Sequence, residues 1–204
     1  MTQRNIKNLK LDGGWLCQNF INTVHDRTVP DPYEYLGSYL ELIEWVQKTK
    51  ALPEPDIDDL KHISEKDEQA AKTTLAEIIT TREMLHKIFK AIAHGNTPES
   101  SLNKNFNTVL SKSLSKTNLV FSDPYTVERQ WNKNPEMDKP LYPVMQSAYD
   151  LLISDKLDRV KECSACGWLF LDKSKNNSRR WCDMQTCGSA VKAKKYYRKK
   201  KQRQ

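Results

Sequence analysis

The chain has 204 residues, 38% hydrophobic and 29% charged, the balance of a packed globular protein rather than a disordered one. No apolar run nears the roughly 20 residues a membrane span needs, and the Met-Thr-Gln-Arg-Asn start lacks a signal peptide's hydrophobic stretch, so the expectation is a cytoplasmic protein. The net charge of +7 is unevenly placed: residues 161–204 carry 13 basic and 3 acidic residues, +10, which leaves −3 for residues 1–160. So one-sided a field favours a partner carrying phosphates.

In chain order, Trp15 to His25 sets Leu16, Phe20 and Val24 four apart beside Cys17 and Ile21, the stripe of an amphipathic helix that Pro30 and Pro32 stop. Leu36, Tyr39, Leu40, Ile43 and Val46 predict a second helix fading before Pro53. A longer third helix carries Leu75, Ile78, Ile79, Leu85, Ile88, Phe89 and Ile92 and ends at Gly95, the residue best able to take a left-handed cap. Thr97-Pro98-Glu99 reads as the N-cap and first turn of another. Leu119-Val120-Phe121 and Tyr125-Thr126-Val127, parted by Ser122-Asp123-Pro124, predict a hairpin. Helical spacing then returns at Leu141, Val144, Met145, Ala148, Leu151 and Leu152. The expected architecture is mainly α with one small β-hairpin (α+β) over residues 1–155, followed by a separate C-terminal unit over 156–204.

That second unit holds four of the five cysteines, Cys163, Cys166, Cys182 and Cys187, in the spacing C-x2-C-x15-C-x4-C. Two thiolates two residues apart turn toward one point, and a returning pair completes the tetrahedron that zinc prefers. Four protein ligands leave no open coordination position, so one structural Zn2+ is expected, supplying the fold that so small a segment cannot supply by burial. Two disulfides or a redox pair are the bland alternative, disfavoured where thiols stay reduced; an iron–sulfur cluster also takes four cysteines. Cys17, alone on an apolar face, reads as a small buried hydrophobe.

Between the pairs, Trp168-Leu169-Phe170-Leu171 reads as a short strand covering the metal together with Trp181, and residues 172–180 as a basic turn. Ser189 is the expected cap of a helix toward Lys201, which would place the last ligand just before a helix start, as in treble-clef fingers. On that helix Lys192, Lys195 and Lys199 share one face, Lys194, Arg198 and Lys201 lie on the next, and Tyr196 and Tyr197 interleave. Lys173, Lys175, Arg179, Arg180, Lys192, Lys195, Arg198 and Lys199 are therefore the candidate nucleic-acid contacts, with Arg179, Arg180 and Arg198 the candidates for base reading. A lysine-rich end is also often only a solvated tail.

These residues resemble the CGNR zinc-finger proteins, bacterial transcription regulators whose N-terminal part is the ABATE domain. The resemblance rests on Leu16-Cys17-Gln18-Asn19-Phe20-Ile21-Asn22-Thr23, on Thr81-Arg82-Glu83-Met84-Leu85 with Ile88-Phe89, and most specifically on 166–176 and on Arg179-Arg180-Trp181-Cys182-Asp183-Met184. It implies a stress-response regulator with an N-terminal sensing or assembly domain and a C-terminal finger that binds duplex DNA. The name-giving Cys-Gly-Asn-Arg is here Cys187-Gly188-Ser189-Ala190: the ligand and capping capacity remain, and the cation at the helix start is gone.

Asn19, Asn22, Thr23 and Arg82, with His25, are candidates for a small-molecule effector pocket if the first and third helices pack together; capping and core hydrogen bonds explain the same residues. His62, His86 and His94 show no metal-pair spacing, and Trp15, Trp45 and Trp131 read as packing anchors. No catalytic grouping of histidine, carboxylate and nucleophile and no phosphate-cradling loop is visible, so a non-enzyme is expected. RNA binding and capture of an acidic protein partner are the other readings, and a homodimer would suit paired half-sites.

Overall fold

The computed structural model describes residues 4–201, leaving aside the side chains of 195, 197 and 199. Seven helices are described: α1 Leu16–Ile21, α2 Tyr39–Thr49, α3 Glu54–Lys66, α4 Glu68–Ala93, α5 Ser100–Leu114, α6 Leu141–Leu152 and α7 Ser189–Lys201. Two antiparallel hairpins accompany them, β1 Thr117–Asp123 with β2 Thr126–Trp131, and β3 Val160–Glu162 with β4 Leu169–Leu171. The result is a mainly helical protein with small sheets, ending in a treble-clef-like four-cysteine finger.

The 26 residues of α4 form the axis. This helix buries Leu75, Ile78, Leu85 and Phe89 and packs with α1, α2, α3, α5 and the β3–β4 hairpin. Trp45 of α2 is fully buried against Phe20 of α1, their rings 5.4 Å apart. Gly95 follows α4 at φ +71°, the left-handed conformation expected of it. The buried Lys139 ties the start of α6 to α3 through Asp56 at 2.8 Å.

Three local expectations are corrected. The first helix stops at Ile21, short of His25, because Asn22 leaves the helix to hold β4 and Val24 pairs with Glu34 across a single bridge. The sequence pattern gives no sign of α3 beyond the end of the second helix before Pro53; Pro53 and Pro55 stand at its N-cap and first turn, where a fixed φ and a missing N–H cost nothing. The helix expected from Thr97 begins at Ser100, after Glu99.

The β1–β2 hairpin pairs Leu119 with Arg129 and Phe121 with Val127 and stands off the core, Tyr125 at its tip 97% exposed. The β3–β4 hairpin does the opposite. Leu169, Phe170 and Leu171 are all buried and belong to the same hydrophobic cluster as Phe20, Trp45 and Leu85. Rather than covering only a metal, this strand fills the main interior. No helix among the described residues is long and apolar enough to cross a membrane.

Candidate metal centre and nucleic-acid interface

The first cysteine pair sits on the turn between β3 and β4. The Cys163 carbonyl accepts from the Gly167 N–H at 2.9 Å, and the Cys163 N–H donates to the Trp168 carbonyl at 2.7 Å, closing a knuckle that aims both thiols inward. Gly167 holds φ +72°, and a Cβ there would come within 3.0 Å of Arg27 Cβ. Conformation and space both require glycine at this turn.

The second pair arrives through a loop organised by Asp172, which is fully buried. Its carboxylate accepts from the Ser174 and Arg179 N–H groups, each at 2.8 Å, and its own N–H donates to the Arg159 carbonyl at 2.8 Å. Burial opposes ionisation of Asp172, and the bonds from Ser174 and Arg179 outweigh it, holding the carboxyl below its usual range. The Arg159 guanidinium takes the carbonyls of Asp172 and Ser174.

Past Cys182, the cap expected of Ser189 is made by Asp183 instead. The Asp183 side chain accepts from the Gln185 N–H at 2.9 Å and opens a wide helical turn, Met184–Gly188, that runs straight into α7. Cys187 therefore lies inside the helical path. Lys10 closes on Asp183 at 2.5 Å and, with Gln185, lowers the carboxyl to about 2.

The four sulfurs lie within 4.8 Å of one another, Cys166 to Cys182 at 3.7 Å and Cys182 to Cys187 at 3.8 Å. Thiolates about 2.3 Å from a zinc at tetrahedral angles stand about 3.8 Å apart, so these separations fit one ion. They are far beyond the roughly 2.05 Å of a disulfide, and all five cysteines are free thiols. A polynuclear iron–sulfur cluster would need a wider cage. Cys163, Cys166, Cys182 and Cys187 form a site for one zinc ion, and among the described residues no fifth ligand is grouped with them.

Of the basic residues, Lys173, Lys175, Arg180, Lys192, Lys194, Arg198, Lys200 and Lys201 are exposed. Arg180 lays its guanidinium over the Trp181 ring, 5.6 Å from the centroid. Arg179 is half-buried and committed inward: it donates to the carbonyls of Trp181 and Cys182 at 3.3 and 2.6 Å and stacks over Phe170. The side chains of Lys195 and Lys199 lie outside the described residues. The three acids of residues 161–204 are all engaged, Glu162 with Lys90 and His94, Asp172 in its loop and Asp183 with Lys10.

The four polar residues proposed from sequence for an effector are each held by bonds within the fold, Thr23 with Arg82 and Asn22 with the finger. Asn19 accepts from the Gly13 N–H at 2.9 Å. Asn22 spans the Leu169 backbone, donating to its carbonyl at 2.8 Å and accepting from its N–H at 3.0 Å. Arg82 reaches the Thr23 hydroxyl at 3.0 Å, both Glu34 oxygens at 2.7 and 2.6 Å, and Glu83 at 2.8 Å. Beyond Glu83, Arg27 donates to that carboxylate at 2.8 and 3.1 Å, while its N–H meets the Cys166 carbonyl at 2.9 Å. Burial opposes ionisation of Glu83, but Arg27 and then Arg82 outweigh it and lower the carboxyl to about 2. His25 is bonded to the Tyr35 hydroxyl at 3.0 Å.

Asp183, Asp172, Arg27 and Lys10 escaped the sequence reading. Only Asp172-Lys-Ser174 and Asp183-Met-Gln carried a local sign, an Asp two residues before an N–H it can accept from.

Two family models match the chain. One, described as CGNR zinc finger, covers residues 159–200; the other, ABATE, described as "Putative stress-induced transcription regulator", covers 14–155. No curated protein matches it.

Proposed function

We propose that this chain, which belongs to the ABATE family and ends in a CGNR zinc finger, is a zinc-dependent regulator that grips duplex DNA through residues 156–204. In this reading residues 1–155 sense an effector or assemble the protein, and no chemical step is catalysed. The observation that carries it is α7, which leaves a metal-fixed turn with Lys192, Lys194, Arg198, Lys200 and Lys201 exposed and no acidic residue between 184 and 201. Among the described residues none of these five enters an ion pair, so their charge is available to phosphates. A homodimer would set two such helices on paired half-sites.

The inward bonds of Arg179 favour a structural duty for it and leave Arg180 and Arg198 as the arginines with free reach toward bases. The test is fluorescence anisotropy on duplex DNA with the zinc-loaded protein across a salt series. Affinity should fall with a log–log slope of about −0.9 per phosphate contact, and Lys192→Gln with Arg198→Gln should flatten it by about 1 to 2. Binding with no salt dependence, or tighter retention on single-stranded RNA at matched salt, would take the duplex away from this finger.

A further inference from the structure

Between the N-terminal end of α2, the C-terminal end of α3 and the first half of α4 lies an open groove of about 550 Å3. Leu36, Tyr39 and Leu75 are buried beneath it, and Leu40, Ala76 and Ile79 also line it. Its polar groups are already satisfied from within. Tyr39 spends its hydroxyl on the Met137 carbonyl at 2.6 Å, and Ser64 donates to the Lys61 carbonyl at 2.8 Å. The Glu34 carboxylate is held by Arg82 through both oxygens and also takes the Leu36 N–H at 2.8 Å. The floor thus offers carbon and no charge in need of a partner.

The mouth is different. Glu65 and Glu68 are exposed and, among the described residues, neither enters an ion pair or a side-chain hydrogen bond. A third carboxylate, Glu41, stands beside the groove residue Gly37, where a Cβ would be 3.1 Å from its Oε2. Glu41 already takes the Ser38 hydroxyl at 3.2 Å, so the open charges of the lining are Glu65 and Glu68 against one cation, Lys72. Volume and apolar lining match a small-molecule site, and the sign of the mouth selects what such a molecule should carry.

We propose that this groove binds a small organic amine, its apolar body on Leu36, Leu75 and Ile79 and its ammonium at Glu65 and Glu68. An anion of the same shape would meet repulsion at the mouth and no donor on the floor. The site gives the effector side of the proposed regulator a location. Because its test reads ligand binding alone, it can fail while DNA binding by the finger stands, and the reverse.

Three probes of one shape decide it: 4-phenylbutylamine, 4-phenylbutanol and 4-phenylbutyrate, titrated calorimetrically into the zinc-loaded full chain. The amine is expected to bind about tenfold or more tighter than the carboxylate, with the alcohol between, and added salt should erode only the amine's advantage. Ala76→Trp, at an exposed helical position, should fill the groove and abolish binding of the amine. Glu65→Gln with Glu68→Gln should bring the amine down to the alcohol. Equal or tighter binding of the carboxylate, or amine binding that survives Ala76→Trp, overturns the proposal. Sedimentation of the same samples covers the remaining occupant: a dimer that Ala76→Trp dissociates would give the groove to a second copy and overturn it as well.

Discussion

Asn22 does its work through two bonds of opposite sense to one buried backbone unit. Replacing it with Ala leaves the Leu169 N–H and carbonyl without partners in a closed interior, a loss of about 2–4 kcal/mol that urea denaturation should register. A near-neutral result would mean that water reaches β4. His86 makes the second residue-scale prediction. Burial, and after it the charge of Arg27, lowers its imidazole to about 4, and its Nε2 has no hydrogen-bond partner. The folded pKa lies below the ordinary 6.5, so between those values the unfolded chain takes up a proton that the folded one refuses. Stability is therefore complete above pH 6.5 and falls as pH drops toward 4, by at most about 3 kcal/mol. His86→Phe should remove that part of the slope; parallel stability curves for the two proteins from pH 7 to 4 would refute the assignment.

At the scale of elements, the turn after Cys182 governs α7. Asp183 caps it and holds Lys10 from the opposite end of the chain. Asp183→Ala should cost about 1–2 kcal/mol and speed zinc loss to a chromophoric chelator, with the metal stoichiometry unchanged at one. If the release rate does not move, the ligands hold the turn without help. How much of this was legible follows from range. The stripes of α2, α4 and α6, the hairpin turn at Asp123-Pro124 and the paired cysteines all announce themselves within a few residues, and each formed. The proline at 53 hid α3 because the same ring that ends one helix suits the start of the next. Asn22 and Arg82 were visible in the sequence as polar candidates for an effector pocket. Their partners were not, since Leu169 lies 147 positions from Asn22 and no local period connects them.

Across the whole molecule, the finger and the chain before it close over one interior. The Trp168 indole donates to the Val24 carbonyl at 2.6 Å, the Leu171 N–H to Gly13 at 2.8 Å and the Arg27 N–H to Cys166. Stripping zinc should consequently lower the melting temperature of the entire chain, and calorimetry of the loaded protein should give one endotherm. Two independent transitions would separate the parts. Cutting the chain at 155 would open the Asn22 face and unsettle what remains, so charge substitutions on α7 probe DNA binding more cleanly than deletion does. The shared indole bond carries a wider consequence. A finger of this kind is not a portable cassette: grafted onto a foreign carrier it would arrive without its floor, and any drift at Trp168 asks for an answering change in the segment around Val24.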